Sequence, residues 1–277
     1  MKSLIVTADD FGAAEEVNEA VERGHRDGIL TAASLMVAGA AAVDATARAK
    51  RLSRLRVGLH LVLVDGKPIL PPSFVPDLVD ARGMFRADMA LAGARMFLLA
   101  RVRRQLAAEI EAQFDAFRVS GLHLDHVNTH KHFHLHPTIA STILRVGRRY
   151  GLRAIRVPLE PRWVLSRVEP AAKLPTALAT APWAMLSRMR FRAAGLRVPD
   201  QVFGLAWSGA MTPSRLIGLL ENLPEGLTEI YMHPATGPYR GSAPGYGYAE
   251  ELAALVAPRV VAAARNSAIA RGGFADF

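Results

Sequence analysis

The sequence predicts an α/β protein, an irregular TIM-like (β/α) barrel, and three observations support this. Short apolar segments alternate with helical segments along most of the 277 residues, the order that produces a largely parallel sheet. Polar residues stand at the C-terminal ends of several predicted strands, which is the rim where barrel enzymes build their sites. No internal repeat or low-complexity tract divides the chain, so we expect one domain over residues 1–277.

Short apolar or alternating runs predict the strands, which fall at about residues 3–8, 31–37, 55–63, 121–129, 153–157, 202–206 and 228–232. Segments with apolar residues at helical spacing predict the helices, at about residues 14–24, 40–50, 87–118, 138–150, 213–221 and, as the final helix, from about 248. Residues 65–86 are rich in Pro and Gly and predict a loop that forms a lid or rim.

The segment at about 162–199 has a different composition, and we interpret it as an amphipathic helical insertion. Tryptophan, methionine and leucine are interleaved there with arginine, which is typical of a helix at a membrane surface; ordinary packing on the barrel is the alternative. Between Arg145 and Arg197, twelve Arg and Lys residues stand against two Glu, a local balance of +10 within a net charge of +9. A surface of this charge can bind the phosphates of nucleic acid or of anionic lipid. The alternative is an ordinary solvated surface that is rich in arginine.

The composition excludes several kinds of site. The chain has no cysteine, so disulfides, thiolate metal sites and cysteine nucleophiles are excluded. The N-terminal apolar run is too short for a signal peptide, and no apolar run reaches the length of a membrane span. We therefore expect a cytoplasmic protein, either soluble or peripheral at the inner face of the membrane, and a homo-oligomer is compatible with the sequence.

Histidine is concentrated between residues 121 and 137, which hold six of the nine histidines: His123, His126, His130, His132, His134 and His136. A single histidine is usually structural, but six within fourteen residues favour a divalent metal site. Asp10 and His60, at the ends of two other strands, would join His130 in a set of two histidines and one carboxylate. Such ligands favour zinc, with magnesium, manganese, cobalt and nickel as alternatives.

The residues around this set indicate acid–base chemistry. Asp9 and Asp10 are adjacent and cannot point the same way, so Asp10 would bind the metal and Asp9 would be the general base. Arg156 would orient Asp9 and keep it ionised, because a nearby cation lowers the pKa of a carboxylate. His233, at the end of a further strand, would be the general acid for a leaving amine. Alone, the two aspartates could be a helix N-cap, but together these residues indicate metal-assisted hydrolysis of an amide or ester.

Five motifs, in order along almost the whole chain, resemble the YdjC-type carbohydrate deacetylases, relatives of chitooligosaccharide deacetylase. They are Thr7-Ala-Asp-Asp-Phe-Gly12, Gly58-Leu-His60, His126-Val-Asn-Thr-His130-Lys-His132, Arg156-Val-Pro158-Leu-Glu160 and Glu229-Ile-Tyr-Met-His233-Pro234. The run from His126 to Pro137, with His-Pro-Ala-Thr at 233–236, is further similar to the hopanoid-biosynthesis-associated branch called HpnK.

The resemblance implies an irregular TIM-like barrel, a divalent metal on Asp10, His60 and His130, and Asp9 as the base. It also implies removal of acetate from an N-acetylated sugar. The branch implies N-acetylglucosamine on a bacteriohopanetetrol lipid, which fits the Arg- and aromatic-rich segment 162–197. We also expect five residues to contact the substrate: Phe11, His132, His134, Glu160 and Trp163.

Three residues depart from the family pattern, which commonly has Asp, Asn and Gly where this chain has Asn128, Ala38 and Ala235. None of them is a proposed ligand. Asn128 lies inside the histidine cluster, so its change bears on how those histidines are oriented through hydrogen bonds.

Three other functions remain open. The same site could deacetylate soluble chitooligosaccharides or another N-acyl sugar, in which case an open groove would replace an apolar surface at 162–197. It could hydrolyse phosphoesters, although many phosphatases use two metals and only one site is evident. A nucleic-acid-binding protein would use the basic segment, with affinity that falls steeply with salt. That reading leaves the carboxylate–histidine set unexplained, so we expect no nucleic acid partner.

Overall fold

Parallel strands form one curled sheet in the computed structural model, which describes residues 1–170, 177–266 and 268–277. The strands of the described residues are β1 (Lys2–Phe11), β2 (Ala32–Leu35), β3 (Arg56–Leu61), β4 (Val127–Thr129), β5 (Gln201–Phe203), β6 (Gly226–Met232) and β7 (Ala270–Arg271). Their order is β4–β3–β2–β1–β6–β5, and β7 pairs with the start of β1. The predicted fold class is therefore confirmed.

Helices cover the outside of the sheet: α1 (Glu15–Arg26), α2 (Ala42–Arg51), α3 (Met89–Leu98), α4 (Ala100–Val119), α5 (Pro137–Gly147), α6 (Arg162–Val168), α7 (Ala177–Ala193), α8 (Pro213–Glu221), α9 (Tyr248–Val256) and α10 (Pro258–Asn266). α4 turns an apolar stripe inward, which includes Val102, Leu106, Ile110 and Phe114 at four-residue spacing. No helix in the described part of the chain is long and apolar enough to cross a membrane.

β1 is the central strand, and neighbours pair with it on both edges. β6 pairs along one edge from Lys2 to Ala8, while β7 and β2 share the other edge. Its apolar residues Leu4, Ile5 and Val6 are fully buried, as expected for a strand covered on both faces. The polar end of β1 therefore lies at the rim of the barrel, where the strands on either side also end.

Residues 153–157 do not form the regular strand that the sequence predicts. Ala154 and Ile155 make only single parallel bridges, to Arg197 and Val127 respectively. The segment then reaches β5 through a 2.8 Å hydrogen bond from the N–H of Val202 to the carbonyl of Leu159. Pro158 has no N–H to donate to a ladder, which interrupts regular pairing here. The segment thus links β4 to β5 irregularly.

The histidine-rich stretch is also less regular than predicted. β4 covers only Val127–Thr129, and a short 3₁₀ turn, His130–Leu135, follows it. Lys131 and His132 inside this turn both have φ of +53°, a left-handed conformation that ends the extended chain. Pro137 begins α5, as its fixed φ favours.

Two helix predictions need correction, and a third prediction, the insertion, lies partly outside the described residues. The long helix predicted at 87–118 breaks at Leu99, whose extended backbone separates α3 from α4. The helix predicted from 248 is not the last, because α10 and β7 follow it. The predicted insertion at 162–199 contains α6 and α7, and its residues 171–176 lie outside the described residues.

Two buried polar residues of α4 hold the predicted rim loop in place. Glu109 accepts the N–H groups of Ile69 and Leu70 at 2.9 and 3.0 Å. Gln113 bonds both the N–H and the carbonyl of Val62, and also donates to Glu109. Buried polar side chains must find such partners, so α4 has them where the loop crosses it. The loop is thereby fixed beside the C-terminal ends of the strands.

Candidate active site

The backbone at the end of β1 brings the side chains of Asp9 and Asp10 to the same cavity. Asp10 has φ of +62°, which residues other than glycine rarely adopt. The pairing of β1 with β2 also shifts register between Ala8 and Phe11. Asp9 and Asp10 both line one cavity as a result, although consecutive strand residues normally face opposite sides.

Asp10, His60 and His130 form a compact group of metal-ligand types. Asp10 Oδ1 lies 3.3 Å from His60 Nε2 and 3.4 Å from His130 Nδ1. One ligand atom from each residue lies within 4.8 Å of the other two. Among the described residues, neither Asp10 Oδ1 nor His60 Nε2 has a hydrogen-bond partner of good geometry, although both atoms are buried. Unpaired buried polar atoms that converge on one point fit a divalent metal.

The charge state of Asp10 suits the same ligand group. Burial would raise the pKa of its carboxyl, but the nearby His130 and His60 rings outweigh this and hold the pKa well below its usual range. Asp10 is therefore ionised at neutral pH, and the ionised carboxylate is the form that binds a metal.

Asn128 connects His60 to Asp9. Its Nδ2 donates to Asp9 Oδ1 at 3.0 Å, and its Oδ1 lies 2.7 Å from His60 Nδ1. A carboxylate only accepts hydrogen bonds, so the amide nitrogen must face Asp9 and the amide oxygen must face His60. His60 Nδ1 therefore donates its proton to Asn128. When the ring is neutral, its Nε2 lone pair is directed towards Asp10 and His130.

Arg156 is fully buried and holds Asp9 from another side. Its guanidinium donates to both carboxylate oxygens of Asp9, with Nη2 3.1 Å from Oδ1, and Nη2 also donates to Glu229 Oε1 at 2.6 Å. Burial would raise the pKa of Asp9, but the charges of Arg156 and His60 hold it far below its usual range. Asp9 is therefore ionised, and its lone pairs have fixed directions.

Glu229 and Tyr231 also belong to this cluster, although the sequence motif that contains them predicted no site role for either. Thr7 Oγ1 donates to Glu229 Oε1 at 2.8 Å, and the Tyr231 ring lies 4.4 Å from the guanidinium carbon of Arg156. Glu229, Tyr231 and His233 alternate at the end of β6 and so point to the same face. Counting back by two from His233 would have found both residues.

His233 lines the cavity at the end of β6. Its backbone N–H donates to Glu251 Oε2 at 2.6 Å. Its ring lies between the rings of Tyr231 and Tyr246, with centroid distances of 5.7 and 5.4 Å. The ring atom Nδ1 is buried and has no partner among the described residues. The two aromatic contacts thus restrict the ring, while one nitrogen remains free to bond.

The cavity has a volume of about 1210 Å³, enough for a sugar with its acyl group. Its floor contains the residues at the strand ends: Asp9, Asp10, His60, His130, His132, Tyr231 and His233. Its rim comes from residues 65–66 and 80–88 of the predicted loop region, and from residues 239–248. The loop thus forms a rim, as predicted from its Pro and Gly content.

Of the five predicted substrate contacts, the structure brings only His132 to this cavity, where its Nε2 lies 3.0 Å from the Tyr231 hydroxyl. Phe11 is fully buried in the core below, because the register shift at the end of β1 turns its ring inward. His134 is also fully buried, and its Nδ1 lies 2.8 Å from Thr129 Oγ1.

Glu160 and Trp163 also lie away from the cavity. Glu160 accepts three backbone N–H groups at the end of β5, those of Gly204, Leu205 and Ala206. Its carboxylate therefore caps a loop and is not free for a ligand. Trp163 is half exposed on α6, where its ring packs on the Arg167 guanidinium at 4.9 Å.

Residues 3–266 match a family model described as YdjC-like protein. A carbohydrate deacetylase from Geobacillus stearothermophilus is 32% identical over 263 residues, which covers 93% of this chain and 91% of that protein. A carbohydrate deacetylase from Brevibacillus brevis is 36% identical over 166 residues, 60% of this chain and 62% of that protein.

A solved structure from Enterococcus faecalis V583, named as a candidate cellobiose-phosphate cleavage protein, has a TM-score of 0.77 to this chain. It is 24% identical and covers 99% of this chain and 98% of its own length. This likeness shows that the fold is shared.

The buried histidine His134 predicts a pH dependence of stability. Burial lowers its pKa from an ordinary 6.5 to about 3, so the folded protein keeps it neutral while the unfolded chain protonates it. The free energy of unfolding that depends on a neutral His134 is present in full above pH 6.5 and is lost as the pH falls. The free energy of unfolding should therefore drop about 1.4 kcal/mol less per pH unit in His134→Gln than in the wild type.

Urea unfolding between pH 6.5 and 4.5 measures this slope. His123→Gln is the control, because His123 is exposed on the same stretch and should keep the wild-type slope. Equal slopes for wild type and His134→Gln would contradict the buried neutral state of His134.

Proposed function

The chain belongs to the YdjC-like family and is an enzyme of the carbohydrate deacetylase class, and we propose that it removes the N-acetyl group from an amino sugar with the help of one divalent metal. The observation that carries this proposal is that a group of metal-ligand types lies beside a separate base. The ligand group is Asp10 with His60 and His130. The base is Asp9, which is ionised and held by hydrogen bonds from Arg156 and Asn128. Metal-assisted amide hydrolysis needs both parts.

A divalent metal held by the ligand group would polarise the acetamide carbonyl and acidify the attacking water. Asp9 takes the proton of that water at a carboxylate oxygen, because hydrogen bonds from Arg156 and Asn128 orient its lone pairs. The charge of Arg156 also keeps the pKa of Asp9 low, so Asp9 is ionised and can accept a proton at neutral pH although it is a weak base.

The leaving nitrogen needs a proton, and His233 supplies it. The carbon–nitrogen bond of the acetamide breaks while the oxygen of water bonds to the carbonyl carbon, so acetate and a free amine leave. His233 is suited to donate to that amine, because its ring faces the cavity between Tyr231 and Tyr246 and one nitrogen is unpaired among the described residues.

For the substrate, we propose N-acetylglucosamine on a bacteriohopanetetrol lipid, as in the hopanoid-associated branch HpnK. The support comes from α7, which is apolar on two sides. Ala184 and Phe191 are buried against the protein, while Trp183, Leu186 and Met189 are between 48% and 66% exposed. A helix with apolar residues on both sides is normally covered on both sides, by protein or by membrane.

The position and charge of α7 favour contact between its exposed apolar side and a membrane. The helix packs on α5 and on the turn His130–Leu135, which carries one of the proposed metal ligands. The stretch that contains α6 and α7 also carries five exposed arginines: Arg162, Arg167, Arg190, Arg192 and Arg197. Exposed apolar side chains and arginines in one stretch suit a bilayer with anionic headgroups. We therefore propose peripheral contact with an anionic membrane through residues 162–197.

The substrate is tested by mass spectrometry. Purified protein loaded with Zn²⁺ should remove one acetyl group from N-acetylglucosaminyl bacteriohopanetetrol in anionic vesicles, and a chelator should abolish this. Chitobiose, offered separately under the same conditions, should lose acetate far more slowly. Loss of acetyl from chitobiose alone would keep the chemistry and overturn the lipid. No loss from either substrate, with Zn²⁺ bound, would overturn the deacetylase mechanism.

The membrane contact is tested with Met189→Asp. A charge on this exposed side chain should weaken sedimentation with vesicles of phosphatidylglycerol roughly tenfold, because burying a methionine side chain is worth about 1.5–3 kcal/mol. The matched control is Val119→Asp, an apolar and even more exposed position at the end of α4. Equal effects of the two variants, or none, would contradict contact through 162–197.

A further inference from the structure

A second group of polar side chains lies buried beneath the cavity. Asp125 Oδ2 lies 2.9 Å from His126 Nδ1, and His126 Nε2 lies 3.0 Å from Ser34 Oγ. Ser34 Oγ in turn lies 2.9 Å from Asn128 Nδ2. All four side chains are at most 5% exposed. The chain of hydrogen bonds therefore runs from Asp125 to the amide that contacts both Asp9 and His60.

For a neutral His126 ring, the directions of these hydrogen bonds follow from the two ends. The Asp125 carboxylate only accepts, so His126 Nδ1 donates to it and His126 Nε2 is the acceptor for the Ser34 hydroxyl. The amide nitrogen of Asn128 can only donate, so Ser34 Oγ accepts from it. All the hydrogen bonds then point in one direction along the series. Asn128 is the last residue of the series, and its Oδ1 is the acceptor for His60 Nδ1.

Phe274 and Ala275 anchor the Asp125 end of this series of hydrogen bonds. Asp125 accepts the backbone N–H groups of Phe274 and Ala275 at 3.1 and 2.8 Å. The Phe274 ring stacks on the His126 ring at a centroid distance of 4.3 Å. On the other side, a Cβ on Gly58 would lie 2.5 Å from the His126 ring, so glycine makes room for it. The position of His126 is thus fixed by packing as well as by hydrogen bonds.

Asp125, His126 and Ser34 have the order of a serine hydrolase triad, but the structure assigns them another task. Ser34 is fully buried, and none of the three lines the cavity, so no substrate can reach the hydroxyl. The Ser34 hydroxyl already donates to one partner and accepts from another. These residues therefore act on the site only through Asn128.

We propose that Asp125, His126 and Ser34 are positioning residues for the metal site. By keeping Ser34 Oγ an acceptor, they hold the Asn128 amide in the one orientation that makes His60 donate from Nδ1 and direct its Nε2 lone pair towards Asp10. Hydrogen bonds behind a metal ligand typically change metal affinity 10- to 100-fold when removed. This inference rests on the metal site of the proposed function, but not on its substrate.

Calorimetric titration of the metal-free protein with Zn²⁺ tests the inference. Ser34→Ala should weaken Zn²⁺ binding at least about tenfold, because it removes the acceptor for Asn128 Nδ2. His126→Phe keeps the stacked ring but breaks the same chain, and should weaken binding in the same direction. Thr228→Val is the control: it removes an equally buried hydroxyl whose partner is Gln201, and should bind Zn²⁺ like the wild type.

A second readout separates positioning from loss of stability. In long-range proton–nitrogen NMR spectra of the metal-free protein at pH 9, wild-type His60 should be in the Nδ1–H tautomer, and Ser34→Ala should mix the two tautomers. Zn²⁺ affinity within twofold of the wild type and an unchanged tautomer in both variants would overturn the inference. If the wild type binds no Zn²⁺, the proposed metal site fails, while a tautomer change in Ser34→Ala would still support the positioning role.

Discussion

The buried guanidinium of Arg156 is the constraint on which the rest of the site depends. Removing a charge of this kind from water costs several kcal/mol, so Arg156 can stay buried only because Asp9 and Glu229 both pair with it. Arg156 lies on residues 153–159, the part of the barrel without a regular strand ladder. Its two partners lie on β1 and β6. The ion cluster therefore ties the irregular segment to the sheet and aims Asp9 at the same time.

The same arrangement explains how two adjacent carboxylates differ in chemistry. Asp9 accepts hydrogen bonds from Arg156 and Asn128, which orient its lone pairs, and the charge of Arg156 lowers its pKa. Asp10 instead faces two imidazoles, His60 and His130, and one of its oxygens lacks a well-formed hydrogen bond among the described residues. A left-handed residue at the end of β1 is enough to produce this separation. Asp9 and Asp10 are chemically identical, so their different roles come from the backbone conformation that sets their partners.

The sequence was sufficient for the fold class and for the ligand group, because the C-terminal ends of parallel strands meet at one rim whatever the details of each strand. It was not sufficient for side-chain direction. Phe11 turns into the core after a register shift, and Glu160 caps backbone N–H groups, and neither outcome is visible in a pattern of apolar residues. Glu229 and Tyr231 could have been found, since the period of two along β6 leads to them from His233.

The division between Asp9 and Asp10 is the central claim, and one paired measurement tests it most directly: Zn²⁺ content and acetate release of Asp9→Asn beside His130→Ala. Asp9→Asn should keep wild-type Zn²⁺ and lose about 10²- to 10⁴-fold in turnover, the range expected when a general base is removed. His130→Ala should lose both the metal and the turnover. Full activity in Asp9→Asn, or full Zn²⁺ content in His130→Ala, would contradict the assignment.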